Sequence, residues 1–131
     1  MIELVEDRLD IDTYLELRQS VQFRELTRDQ AKKGLSNSLY TLVAFKDGKA
    51  VGMGRIVGDG AIICYVQDLI IRPEVQGEGI GGLILETLKK FVIQEGYEGT
   101  TMMFDLMCAK GREEFYKKHG FIARPTKDLG P

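Results

Sequence analysis

A chain of 131 residues with a net charge of −2 has room for one core and no second lobe, and its 18 basic residues are scattered, which argues against nucleic acid as a partner. Apolar content of 44% suits a globular fold, no apolar run approaches the roughly 20 residues of a membrane span, and no signal-peptide pattern opens the sequence, so one cytoplasmic domain over residues 1–131 with no membrane partner is expected. Cys64 and Cys108 lie in separate apolar stretches rather than in a CxxC or Cys/His cluster, so no metal site or redox motif is expected.

Ile2 to Val5 reads as a short first strand, and Asp10 as the N-cap of a helix carrying Ile11, Tyr14, Leu15 and Val21 at helical spacing. Thr27 with Gln30 three places on is a capping-box pattern that opens a second helix through Leu35. The connector between them holds Phe23, an aromatic that either plugs the edge of the core or lines a binding groove; it is carried as a substrate-binding candidate. Tyr40 to Phe45 and Ala50 to Ile56 are rich in β-branched and aromatic residues and flank Lys46-Asp47-Gly48-Lys49, whose Asp-Gly pair predicts a hairpin. Gly58-Asp59-Gly60 then turns the chain into an apolar run from Ala61 to Ile71, giving three consecutive antiparallel strands.

After that run comes Gly77-Glu78-Gly79-Ile80-Gly81-Gly82, followed by a helix with Ile80, Leu83, Ile84, Leu88, Phe91 and Val92 on one face. Gly96 is expected at C′ of this helix, and Thr100 to Met107 as a strand parallel to its predecessor by right-handed crossover. Gly111 to His119 reads as a short helix closed by Gly120, Phe121 to Arg124 as a last strand, and Pro125 onward as a tail. The order β-α-α-β-β-β-α-β-α-β describes an α+β fold with a mixed sheet.

Strand, glycine-rich turn and helix start together make an anion cradle. The first N–H groups of a helix have no partner within it, its dipole favours negative charge, and glycines admit a phosphate close to the main chain. The glycines spell GxGxxG, yet five residues separate them from the strand and three strands precede them, which places them wrongly for a dinucleotide-binding fold. A P-loop fails because Leu83 and Ile84 stand where Lys-Ser/Thr is required.

Gln76-Gly77-Glu78-Gly79-Ile80-Gly81 resembles the Gln/Arg-x-x-Gly-x-Gly/Ala signature of the GNAT superfamily of acyl-CoA-dependent N-acyltransferases. Asp68-Leu69-Ile70-Ile71-Arg72-Pro73-Glu74-Val75 is similar to the family's entry into that turn, and Phe115-Tyr116-Lys117-Lys118-His119-Gly120-Phe121 to its later Phe/Leu-Tyr-x-x-x-Gly-Phe segment. The resemblance runs from Ile2 to Phe121 and implies the GNAT-like fold, α/β/α layers with antiparallel N-terminal strands and a splayed parallel pair.

It also implies an acetyl-CoA-dependent N-acetyltransferase, with acetyl-CoA as the donor cosubstrate and a primary amine of a small molecule or protein as acceptor. Main-chain groups of Leu69, Ile70 and Ile71 would hold the pantetheine arm and supply an oxyanion donor, and the amides of Gln76, Gly77, Glu78, Gly79, Ile80 and Gly81 the pyrophosphate. Tyr116 matches the tyrosine beside the thioester sulfur, a contact to the cofactor and a general acid for the leaving thiolate. Asp68 and Asp105, carboxylates inside apolar strands, are candidates for deprotonating the amine, Asp68 being carried as catalytic; the competing reading is a hydrogen bond to a bulge or loop. Tyr65 is a minor candidate for orienting the acceptor, whose pocket is expected from the connector around Phe23, the second helix and Gly58 to Ala61.

Two departures stand out. Ala109 occupies the place, seven residues before the tyrosine, where many members carry Asn, and few residues follow Phe121, so the usual final strand is absent, very short or supplied by a partner chain in a homodimer. His119, next to a helix-ending glycine, is read as a solvated or capping residue in preference to a base. The alternative from another class is a non-catalytic acyl-CoA-binding or sensor module, which keeps the cradle and does not need Tyr116.

Overall fold

A computed structural model of the chain describes residues 1–131. Its five strands, β1 (Ile2–Glu6), β2 (Tyr40–Lys46), β3 (Lys49–Gly58), β4 (Ile63–Ile71) and β5 (Met103–Leu106), lie side by side in chain order. The first four pair antiparallel and β4 pairs parallel with β5. Helices α1 (Ile11–Ser20) and α2 (Arg28–Ser36) cover one face; α3 (Ile80–Glu95) and the short α4 (Glu113–Lys118) stand on the other side. No helix is long and apolar enough to cross a membrane.

The caps form where side-chain chemistry predicts them. Asp10 accepts from the Thr13 amide at 2.7 Å, and Thr27 from the Gln30 amide at 3.1 Å, each satisfying one orphan donor of its helix. The hairpin turns at Asp47 and Gly48, both left-handed, as an Asp-Gly two-residue loop requires.

The two faces of the sheet carry separate cores. Leu42, Ala44, Ile56, Cys64 and Val66 pack against Ile80, Ile84, Leu88 and Val92 of α3, while Val43, Met53 and Ile70 pack against Tyr14 and Leu17 of α1. Burying each Leu or Ile contributes about 1.5–3 kcal/mol relative to exposure. Contact with α3 is close because Gly54 has no side chain: a Cβ there would lie 2.7 Å from Ile84 Cγ2. Within α3, Leu85 is buried and Leu83 is 49% exposed, so the inward stripe is rotated from the expected one.

β4 carries one extra residue. Arg55 pairs with Gln67 and Met53 with Ile70, so two steps on β3 match three on β4, and Asp68 sits in the bulge with φ of 65°. The bulge changes which residues face which layer: Cys64 and Val66 face α3 before it, Leu69 and Ile71 after it. The β4–β5 ladder stops at Val66 and Leu106, and β4 runs on to Ile71 paired with β3 only, so the parallel pair splays.

Two expectations are corrected. Phe121 to Arg124 forms no strand; Phe121 packs its ring 5.2 Å from that of Phe104, and the following chain folds back on itself, with Arg124 donating to the Gly130 carbonyl. The outer edge of β5 therefore carries no strand. Gly96 ends α3 in an extended conformation, and Gly99 holds the left-handed turn.

Candidate functional site

The splayed strands, the glycine turn and α4 enclose a cleft of about 800 Å³. Its floor is Leu69, Ile70 and Ile71, one wall is Gln76, Gly77, Gly79, Ile80 and Gly81, and Tyr116 and Phe23 close two other sides, so ten residues expected at the site converge there. Glu78 contributes main chain only to this turn, since its carboxylate pairs with Lys46 Nζ at 2.6 Å. Arg72 anchors the turn from below, donating to the Ala50 carbonyl at 2.7 Å and pairing with Glu16.

The turn presents an unusual run of donors. Gln76 N–H bonds the Pro73 carbonyl and Leu83 N–H bonds Gly79, but the amides of residues 77–82 find no acceptor in the protein. Gly77 and Gly79 are left-handed, with φ of 87° and 85°, and a Cβ on either would meet nothing within 4 Å. Their role is conformational, and the space above them is open. Six consecutive donors without a protein acceptor stand at the start of a 16-residue helix, an arrangement suited to an anion. Among the cleft residues Arg112 and Lys118 are cationic and none is acidic, in a chain that has 20 acidic residues.

Tyr116 sits on α4 with its ring edge-on to Phe115 at 5.1 Å and to Phe121 at 5.9 Å, and its hydroxyl makes no bond to the protein. Burial pushes the phenol above its ordinary range, the Cys108 thiol adds to this, and Arg112 opposes it. Tyr116 also lines a second cavity of about 930 Å³ at the β5 edge, together with Tyr65, Asp105, Cys108 and Glu113. Neither α2 nor residues 58–61 line either cavity, in contrast to the expected acceptor pocket.

Asp68 does not line the cleft. Its Oδ2 accepts from Tyr14 at 2.5 Å and from Arg55 Nε at 3.2 Å, and its Oδ1 from Arg18 at 3.0 Å, with the carboxylate side chain 1% exposed. Such a carboxylate has its lone pairs engaged by three donors, the bulge-anchoring arrangement rather than that of a free base. Burial and the bond to Asp68 raise the Tyr14 phenol above its usual range. Arg18 extends the cluster toward the cleft: it donates to the Arg24 carbonyl at 2.9 Å and lies 5.4 Å from the Phe23 ring centroid. Phe23 is thereby held on the cleft wall although 44% exposed.

Arg112, Phe115, Lys118 and His119 were not singled out as site residues, yet all line the cleft. A signal was present: residues 112, 115, 116 and 119 recur at i, i+3, i+4 and i+7, one helical face that includes the tyrosine. His119 caps α4 as expected, its carbonyl accepting from Lys89 Nζ at 2.7 Å, but its side chain is 18% exposed instead of solvated.

A family model described as an acetyltransferase (GNAT) domain matches residues 37–123. A GCN5-related N-acetyltransferase 2, chloroplastic, of Arabidopsis thaliana is 29% identical over 80 residues, covering 61% of this chain and 30% of the relative. An uncharacterized N-acetyltransferase of Pyropia yezoensis is 31% identical over 100 residues, covering 73% of this chain and 55% of the relative. The chain thus spans about a third and about half the length of these two curated relatives. A solved structure from Meticillin-resistant Staphylococcus aureus, a protein of unknown function described as a probable acetyltransferase, superposes with a TM-score of 0.86 at 29% identity, covering 98% of this chain and 93% of that one. With the family model spanning well over half of its residues and a relative above 30% identity covering more than two thirds of it, the chain belongs to the GNAT acetyltransferase family.

Proposed function

We propose that this chain transfers an acetyl group from acetyl-CoA to a primary amine by direct attack. The observation that carries the reading is the run of six unpaired amides at residues 77–82, opening on a cleft without carboxylates that leads to Tyr116. Amides and cations of this wall suit the phosphates of coenzyme A, and the open space over Gly77 and Gly79 leaves room for them.

Acetyl-CoA, when bound, supplies a thioester whose acetyl carbon an amine can attack without a covalent enzyme intermediate. Leu69 to Ile71, beyond the last β4–β5 pair, offer main chain to the pantetheine arm, and an N–H there stabilises the negative charge that develops on the acetyl oxygen. The Tyr116 hydroxyl, free of protein partners and kept protonated by burial, gives its proton to the departing sulfur. The amine loses its proton to Asp105, which shares the second cavity with Tyr116, or to water held there. Asp68 fixes the bulge that separates the strands, and Phe23, pinned by Arg18, borders the acceptor. The bare outer edge of β5 supports pairing of two chains.

The test is thiol release from acetyl-CoA against a panel of small amines and lysine peptides, beside a thermal-shift comparison of coenzyme A with NAD. Stabilisation by coenzyme A with amine-dependent thiol release is expected. Stabilisation without turnover on any amine would favour an acyl-CoA-binding module, and stabilisation by NAD alone would overturn the cradle assignment.

A further inference from the structure

His119 is placed for more than ending α4. Its ring lines the cleft, and its Cε1 and Nε2 lie 3.4 Å from where a Cβ on Gly82 would be, against the first turn of α3. Its Nδ1 contacts Glu86 Oε2 at 2.6 Å, four residues beyond Gly82 on the same helix face. The ring packs at a tilt on Phe115, 4.9 Å between centroids. One nitrogen is thus tied to a carboxylate and the other is turned to the helix start, where the Gly82 amide is among the unpaired donors.

Charged groups surround the ring on both helices. From α3 come Glu86, whose carboxyl is held below the usual range chiefly by the bond from His119, and Lys89, 3.4 Å from the same oxygen. Around α4 stand Arg112, Lys117 and Lys118, while Glu113 and Arg124 share the second cavity with the ring. An imidazole is the one group in this set that ordinarily changes charge between about pH 5 and 8. A neutral ring donating Nδ1–H to Glu86 leaves a lone pair at Nε2, beside Gly82, which repels a phosphate oxygen. A doubly protonated ring turns an N–H there, which bonds one.

We propose that His119 is a coenzyme-binding residue: with Nδ1 held by Glu86, its doubly protonated ring donates Nε2–H to a phosphate of coenzyme A, so that binding takes up a proton wherever the free ring is neutral. This rests on the reading of the cleft as a coenzyme A site. It adds a pH-dependent contact to the fixed amides of the turn.

The experiment is calorimetric titration of coenzyme A into the wild type and His119→Gln between about pH 5.5 and 8.5, each in two buffers of different ionisation enthalpy, with circular dichroism to confirm folding. The 3′-phosphate itself titrates near about pH 6, but that contribution is common to both proteins and cancels in the comparison. Wild-type affinity should fall about tenfold more than that of the variant across the range, with proton uptake that the variant lacks. Glu86→Gln, which keeps a hydrogen-bonding group and loses the charge, should move the steep part of the wild-type curve to lower pH. Dephospho-coenzyme A separates the two phosphate sources: a retained wild-type excess assigns the contact to the pyrophosphate, a lost one to the 3′-phosphate, and either supports the proposal. Parallel pH curves with equal proton uptake in folded wild type and variants would overturn it. Absence of coenzyme A binding by the wild type at any pH is a different failure, that of the cleft assignment.

Discussion

Alanine at Gly79 and alanine at Gly81 should move stability in opposite directions, although the two glycines belong to one short motif. Gly79 is the N-cap of α3 with φ of 85° and ψ of 5°, and a methyl there would touch nothing within 4 Å. The cost is therefore conformational, about 1–2 kcal/mol for an L-residue held left-handed. Gly81 has no such backbone, and its methyl would rest at 3.5 Å from Phe115 Cζ and 3.7 Å from Ile71 Cγ1, ordinary contact distances. Replacing a helical glycine by alanine gains up to ~1 kcal/mol. The two variants should differ by about 1–3 kcal/mol in urea unfolding, or about 3–12 °C in Tm for a domain of this size. Variants with changes of the same sign would refute the geometric reasoning. Valine sharpens the functional side: at Gly79 it disturbs the donor array and at Gly81 it presses on Phe115, a cleft wall, so coenzyme A binding should be lost at both while circular dichroism shows the fold retained.

Tyr116→Phe should lower kcat by roughly 10²–10⁴ with little change in Tm, because the hydroxyl bonds nothing in the protein. Since burial pushes the Tyr116 phenol upward, the wild-type kcat at saturating acetyl-CoA should not decline between about pH 8 and 10; a decline there would refute its role as acid. Asp68→Asn should cost about 3–5 kcal/mol in chemical denaturation, because Arg18 and Arg55, 12% and 11% exposed, would share no counter-charge; an Asn variant of full stability that lacks only activity would return Asp68 to the role of base. Asp59 accepts from the Ala61, Ile62 and Ile63 amides, which hold its carboxyl below the usual range. A lowered folded pKa stabilises above the unfolded value and is lost as pH falls through the folded one, so Asp59→Ala should be less stable than wild type at pH 7, with the gap closing below about pH 4.

Local chemistry made much of this molecule legible. Asp10 and Thr27 cap helices through neighbours three residues away, and Asp47-Gly48 can adopt its turn without outside help. The glycine turn was legible for the same reason, since an anion site at a helix start is built from consecutive residues. The bulge was not. Asp68 carries no glycine or proline signal, and its conformation accompanies a cluster with Tyr14 and Arg18, 54 and 50 residues away in the chain. Phe121 to Arg124 has strand-like composition, but a strand needs a ladder partner, and Phe121 spends its ring on Phe104 instead. His119 and Glu86 are 33 residues apart, a pairing that only the docking of α4 on α3 creates.

The extra residue at Asp68 gives β4 two phases, and this sets what insertion and deletion can do to the strand. Upstream of it the even-numbered residues serve α3; downstream the odd-numbered ones do. Removing one residue from positions 67–68 would bring the strand back into a single phase with Cys64, Val66, Leu69 and Ile71 all still facing α3, whereas flattening the bulge at full length would turn the cleft end over and exchange Ile70 with Leu69 and Ile71 between the two layers. The body of the sheet, paired through β1 to β3, would keep its side chains in place. The floor of the cleft is thus a separately phased segment, and what a deletion at Asp68 would take from it is the tie to Tyr14, Arg18 and Arg55, with the facing of its side chains kept.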